Sequence, residues 1–358
     1  MGAASILRRC TVAYSMRFNP PESSLALGGK TLGLDSDGDV AFVSHAHSDH
    51  TSFLRKRHSV LASEATLDLI AAREGRRHEL AQAEFEGAKV SLHEAGHVLG
   101  GRQIAVESNG GKFVYTGDFN ASASLTCPAA EAIACDELLV ECTFGSPEWA
   151  FEDRFQIYEE IAVWVKEQKE RGNAVLFGCY SLGKAQEIVA LLNEYNGEAP
   201  IVTGTVESVC GVYRRHGVKL DFISGTSGEA ERAYSRPFTA IVPSGSLSFE
   251  TALAISERYR RPVKTAVATG WALRNTFAGV DAAFPLSDHS DYNSLKAFVE
   301  ATGATKVWCT YGFAEEFAAD LRRDGVDAFA VGGESMQTQL AQYPAAAGDA
   351  AAGGDGVG

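Results

Sequence analysis

Ser44-His45-Ala46-His47-Ser48-Asp49-His50 follows directly on the apolar run Val40–Val43. Three histidines and an aspartate thus fall within six residues at the end of a predicted strand. Neutral imidazole and carboxylate both suit a divalent cation such as zinc. Side chains two apart on an extended chain point the same way, so His45 and His47 can reach one ion. Asp49 and His50, in the turn beyond, can face a second. A polar loop with chance histidines is the bland alternative, and this density of ligand types argues against it.

The rest of the composition is that of a soluble globular chain. Of 358 residues, 45% are hydrophobic and 22% charged, enough for one large core or two ordinary ones. No apolar run approaches the roughly 18 residues that span a bilayer. Arg8, Arg9 and Arg17 near the start accompany no apolar stretch of signal-peptide length, and Met16 makes a more typical opening than Met1. A cytoplasmic protein without a membrane partner is expected. The seven cysteines (Cys10, Cys127, Cys135, Cys142, Cys179, Cys210 and Cys309) are scattered and never form a CxxC pair. That argues against a disulfide framework and a thiolate zinc knuckle, and makes most of them small core residues. The net charge of −14 runs against the basic footprint of most nucleic-acid binders. Local clusters stand out against it: Arg55, Lys56 and Arg57; Arg73, Arg76 and Arg77; and Arg258, Arg260, Arg261 and Lys264. Solvated helix faces are the simplest reading of each.

Short apolar runs alternate with amphipathic stretches, an α/β signature. Strands are predicted at Val40–Val43, Lys112–Tyr115, Leu138–Glu141, Ala174–Phe177, Leu220–Ile223, Thr239–Val242, Val263–Ala268 and Lys306–Thr310. The clearest helix runs from Arg154 to Arg171, with Ile157, Ile161 and Val165 on one face and Gly172 closing it. A second begins near Gly183 and carries Ile188, Leu191 and Leu192. Motif-like residues fill 35–141, fall silent, and return at 285–311. The silent middle has its own strand–helix alternation, which predicts a second α/β unit inserted into the first. The expected division is 1–147 and 266–343 for the outer unit and 148–265 for the insertion. The tail, 344–358, is mostly Ala, Gly and Asp and is expected to be disordered.

With its HxHxDH run complete, the chain resembles the metallo-β-lactamase superfamily. The resemblance implies an αββα sandwich and a set of partners for the motif. Gly96-His97 is similar to the loop that supplies the third histidine on the first ion, beside His45 and His47. Tyr115-Thr116-Gly117-Asp118 resembles the strand end whose aspartate bridges both ions, the second being held by Asp49 and His50. Leu34-Asp35 resembles the buried acid that braces the metal loop. Later motifs resemble the β-CASP nucleases, which carry an inserted α/β domain. Val140-Glu141-Cys142-Thr143-Phe144-Gly145 is similar to the acidic motif that opens the insertion, and Gly183-Lys184-Ala185-Gln186-Glu187 to a GRxQE helix start within it. Pro285-Leu286-Ser287-Asp288-His289-Ser290-Asp291 looks like the active-site histidine motif at the return. The likeness covers about residues 30–335 and is nearest to short archaeal and prokaryotic forms, similar to mRNA 3′-end-processing factors and DNA ligase-associated exonucleases.

The resemblance implies hydrolysis of phosphodiesters in RNA or single-stranded DNA, of exonuclease or mRNA 3′-end-processing type. Zinc is the implied cofactor, as one ion or two, with manganese as an alternative. His45, His47 and His97 would hold the first ion. Asp49 would also orient the attacking oxygen, His289 would face the scissile phosphate or protonate the leaving oxygen, and Glu141 would orient His289 or the ligands. Lys184 and Gln186, at a helix start, would contact phosphate. The chain departs from the pattern at Tyr311, which stands where the family's last histidine holds the second ion; no histidine follows His289. The second ion would then be weaker, completed by water, held by His289, or absent. Ser244-Gly245-Ser246-Leu247 also lacks the methionine and glycine pair usual in the strand-binding groove. Two alternatives stay open: a weakened pseudo-nuclease that binds RNA or a processing partner, and a small-molecule metallohydrolase of thioesters or lactams. Small substrates do not require a second domain of this size. A homodimer is left open.

Overall fold

The computed structural model describes residues 16–57, 59–332 and 346–347. Arg8, Arg9, Cys10 and most of the tail expected to be disordered lie outside them. Within that tail, Ala346–Ala347 pairs antiparallel with Thr276–Phe277.

The fold is mixed α/β. Arg17–Asn19, Ser24–Leu27 and Lys30–Leu34 form an antiparallel meander, which Val40–Phe42 joins in parallel. A second sheet of six strands has the order 327–330, 306–310, 137–141, 111–115, 102–108 and 88–94. Its inner strands read as nearly continuous apolar runs because alternate residues face two different cores. Ile104, Val106, Phe113, Tyr115 and Leu139 pack against Leu25, Leu32 and Phe42 of the first sheet. Ala105, Val114, Leu138 and Val140 face the other way, onto Leu295, Phe298, Phe317 and Leu321 of the helices Tyr292–Thr302 and Ala314–Arg323.

After Val40–Phe42 the chain makes a single helical turn, α1 (Ser48–Thr51), and later α2 (Glu64–Glu74). Ser63 caps α2 by accepting from the Thr66 N–H, and Gly75 ends it in a left-handed conformation. The third sheet has six strands, all parallel, in the order 223–224, 201–202, 239–243, 174–179, 263–268 and 282–284. α3 (Arg154–Glu170) leads into its first strand, and its crossovers include α4 (Lys184–Asn196) and α5 (Gly204–Arg215). Of the strand expected at Leu220–Ile223, only Ile223–Ser224 forms. The sheet's last strand, Ala282–Phe284, lies beyond the return expected at 265.

One apolar cluster runs through both units. Val43, Ala46 and Leu67 share it with Ile157, Leu182, Ile188 and Val209. Lifting the parallel-sheet unit away would therefore expose core from both sides. Among the described residues no helix is long and apolar enough to cross a membrane.

Candidate metal centre and cleft

The histidine run leaves the buried strand Val40–Phe42 and curls into α1, so its side chains gather over the end of the first sheet. Two glycines bring the other donors in. Gly96 adopts φ +72°, and a Cβ there would stand 2.2 Å from the Asn120 carbonyl oxygen; Gly117 adopts φ +58°, and its Cβ would meet Ser44 Cβ at 2.4 Å. Each precedes a donor, His97 and Asp118, and no larger residue fits either turn.

His45, His47, His97 and Asp118 converge, with one donor atom of each lying within 4.8 Å of all the others. The opposite ring nitrogens decide which atoms are free. His47 Nε2 lies 3.1 Å from the Leu182 carbonyl and His97 Nδ1 lies 3.0 Å from the Asp288 carbonyl, so both carry a proton. Ser44 Oγ donates to Asp35 Oδ2 at 2.6 Å and therefore accepts from His45 Nδ1 at 2.9 Å. Three lone pairs are left pointing together: His47 Nδ1 is 2.9 Å from His45 Nε2 and 3.1 Å from His97 Nε2. Asp118 Oδ2 adds two edges, 3.5 Å to His45 and 3.7 Å to His97. Donors round a tetrahedral cation bound at about 2.0–2.1 Å stand about 3.3 Å apart. The set fits a small divalent ion, and without a cation nothing offsets the mutual repulsion of the lone pairs.

Electrostatics agree with neutral imidazoles here. Burial pushes His45 and His97 well below the ordinary histidine value, helped by His50 and His289 respectively. Burial alone would push Asp118 up, but His50 and His45 hold it well below the carboxylate range.

On the far side of Asp118 the arrangement is looser. His50 Nδ1 donates to Asp35 Oδ2 at 2.7 Å, turning Nε2 toward Asp118 Oδ1 at 3.4 Å and Asp49 Oδ2 at 3.9 Å. Asp35 also accepts from the Ser44 N–H at 2.7 Å and the Tyr115 hydroxyl at 2.8 Å, so one buried carboxylate fixes Ser44, His50 and Tyr115 together. Tyr311 packs its ring 5.5 Å from that of His50, in a left-handed conformation at φ +61°. Its hydroxyl is raised to about 12, chiefly by burial, with Asp35 and Asp118 adding to the rise and His50 opposing it.

His289 stands over the centre, its ring 4.6 Å from that of His97. Glu141, fully buried, accepts from His289 Nδ1 at 2.9 Å and from the Thr143 N–H at 2.7 Å. Burial opposes a charge on His289, but Glu141 outweighs it and raises the ring to about 9. These residues open into a cleft of 410 Å³ that both units line. Tyr180 and Ser244 enter it from the C-terminal ends of the adjacent parallel strands 174–179 and 239–243. Those two strands send their following connections to opposite sides of the sheet, the place where open α/β sheets bind ligands.

Lys184 and Gln186, expected at phosphate contacts, are both held by groups of the protein itself. Lys184 is 2% exposed and pinned at 2.7 Å to both Glu187 and Asp288. Arg154 and the Tyr158 hydroxyl also bind Glu187, and Arg154 reaches the Ser287 carbonyl. Gln186 is fully buried; its Oε1 accepts from the Gly183 N–H and its amide donates to the Ser181 carbonyl. It caps its own helix. Sequence reasoning missed the Leu182 and Asp288 carbonyls, which no side-chain motif could disclose, and Arg73, which donates to the Ala46 carbonyl and lines the cleft.

No family model matches the chain. Curated relatives do, among them these three. A probable DNA ligase of Opitutus terrae is 34% identical over 313 residues, covering 84% of this chain and 29% of that protein. An RNase J-like protein of Methanocaldococcus jannaschii is 29% identical over 45% of each chain. Cleavage and polyadenylation specificity factor subunit 3 of Dictyostelium discoideum is 34% identical over 32% of this chain and 15% of its own length. The chain thus spans less than half the length of these relatives. A solved Enterococcus faecalis protein of unknown function shares the fold, with a TM-score of 0.54 at 12% identity over 75% of this chain and 74% of that one. The matches to these relatives, named for DNA ligation and RNA processing, agree with the resemblance to the metallo-β-lactamase superfamily and its β-CASP group that the intact HxHxDH run carries.

Proposed function

We propose that the chain is a metal-dependent nuclease that hydrolyses phosphodiester bonds of RNA or single-stranded DNA, with an αββα sandwich as its catalytic unit and the parallel-sheet insertion as its strand-gripping unit. The observation that carries this reading is the convergence of three imidazole lone pairs and Asp118 on the floor of a cleft walled by both units. Zinc held by His45, His47, His97 and Asp118, with Asp49 and His50 facing a second ion, would supply Lewis acidity toward water and neutralise charge developing on the phosphate. The protein's own groups do the rest. Asp49, its side chain 35% exposed, accepts a hydrogen bond from the attacking oxygen and aims it. Glu141 anchors His289 through Nδ1, leaving Nε2 toward the cleft to pass a proton to the leaving oxygen. The contribution of Tyr180 and Ser244 to the cleft argues for a polymeric substrate over a thioester or lactam, since a small substrate needs no second unit. The relatives' names pair DNA ligation with RNA processing, so both sugars belong in the test. Metal-loaded protein incubated with 5′-labelled single-stranded RNA and DNA should shorten at least one, and His289→Ala should slow this by about 10²–10⁴-fold, the usual contribution of a general acid. Intact oligonucleotides under zinc and manganese alike would defeat the proposal.

A further inference from the structure

Besides the His289 ring, two cations line the cleft, Lys184 and Arg73. They are in opposite electrical situations. Lys184 lies between Glu187 and Asp288, so its charge is spent within the protein. Arg73 has no carboxylate in ion-pair contact among the described residues. Glu74 and Asp49 are near enough to favour its charge, but Glu74 instead accepts from the Thr51 hydroxyl. The one hydrogen bond found for Arg73 runs from a terminal nitrogen to the carbonyl of Ala46, between His45 and His47. A guanidinium carries five donors, so most of its fork is unused, and a half-buried cation with no carboxylate in direct contact is costly. Its position is set by α2: Ser63 starts the helix and Gly75 ends it, placing Arg73 in the last turn beside the metal loop and next to Asp49 in the cleft wall.

We propose that Arg73 is a substrate-binding residue, its guanidinium paired with a backbone phosphate of the nucleic acid on the floor of the cleft, while its contact to Ala46 holds it in register with the metal ligands. The inference rests on the nuclease reading and names the group that would offset the chain's acidic balance where substrate enters. Planar forked donors match phosphate oxygens in two parallel hydrogen bonds, which an ammonium cannot do.

The test is equilibrium binding of a fluorescein-labelled ten-nucleotide single strand, RNA and DNA in turn, to the metal-loaded full chain carrying His289→Ala to prevent turnover. Adding Arg73→Gln should weaken binding about 10–100-fold and lower the slope of log affinity against log salt by about 0.7, one phosphate on a single strand. Arg73→Lys should keep the slope and lose only part of the affinity. Metal content by elemental analysis should be unchanged in both. Equal affinity and slope in Arg73→Gln would overturn the inference and leave the nuclease reading standing. Loss of bound metal along with affinity, in either variant, would make Arg73 a brace of the metal loop and overturn it too. Should Arg73→Gln fail to fold, a reduced salt slope in Arg73→Lys is the outcome that rejects the pairing. No binding by the parent protein would defeat the nuclease reading itself.

Discussion

The two sides of Asp118 are built to different standards. Toward His45, His47 and His97, every donor is opposed by a fixed partner: Ser44 behind one ring, the Leu182 carbonyl behind the second, the Asp288 carbonyl behind the third. Two of those partners come from the chain beyond the metal loop, so docking of the parallel-sheet unit sets the aim of His47. On the other side His50 is braced by Asp35, but the donors beside it are Asp49, one-third exposed, and whatever Tyr311 can offer. Ligand affinity depends heavily on such outer partners, typically 10–100-fold for each one lost. The first side is therefore a prepared site for one ion, and the second is a partial one.

The largest expected effect comes from destroying the prepared side. His47→Ala with Asp118→Ala removes one ligand and the carboxylate shared by both sides, and should leave no stoichiometric metal and no measurable cleavage. His50→Ala should instead leave one ion per chain in place. Elemental analysis of the purified proteins decides it; equal metal loss in the two proteins would erase the proposed asymmetry.

How much of this was legible in the chain follows from how local each cause is. The HxHxDH run could be read because ligand type and spacing lie in six consecutive residues. Inner strands such as Val263–Ala268 and Lys306–Thr310 were found because apolar β-branched runs mark buried sheet. The strand Ala88–Glu94 was not, since Lys89, Ser91 and His93 sit on a half-exposed edge and dilute the pattern. The internal contacts of Lys184 and Gln186 escaped the sequence for a related reason. Their position at a helix start is visible in sequence, but the acids that neutralise Lys184 come partly from Asp288, 104 residues away. Arg73 looked like a solvated helix face because its neighbour, the metal loop, is distant in sequence.

An intermediate effect is expected where the two units are pinned together. Lys184→Met leaves Glu187 and Asp288 buried with one cation fewer, a change that commonly costs about 3–5 kcal/mol of stability. The loss should appear as a lowered denaturation midpoint. Because the Asp288 carbonyl aims His97, metal affinity should fall as well, by about tenfold. Adding Asp288→Asn should recover part of the stability by removing a stranded charge, and the double-mutant cycle measures that coupling. Wild-type stability in Lys184→Met, with oligonucleotide binding alone weakened, would return Lys184 to the role of phosphate contact.

The smallest effect, and the sharpest on the asymmetry, concerns Tyr311. Its ring lies against His50 where an imidazole would complete the second side. A neutral phenol is a poor metal ligand, its ordinary pKa being about 10, and burial raises this one further, to about 12. A dication can lower that value, yet the phenolate must also fit the space, and the left-handed backbone at Tyr311 restricts how the side chain can move. One tightly held ion is therefore expected, with a second that loads only at millimolar metal, so cleavage should climb as manganese or zinc is added. Tyr311→Phe should shift that dependence by less than about twofold, because the hydroxyl contributes no bond to the ion. Tyr311→His should move half-maximal activation to lower metal by about tenfold, restoring a nitrogen donor worth roughly 1.4 kcal/mol on that scale. The strained turn adds a cost of its own, since a non-glycine residue at positive φ is disfavoured whether tyrosine or histidine occupies it, so the comparison between the two variants cancels that term. Calorimetric titration of metal-free protein reads both sites directly. Two equally tight ions in the wild type, with one lost in Tyr311→Phe, would show that the tyrosine is a working ligand and that the two sides of Asp118 are equally built.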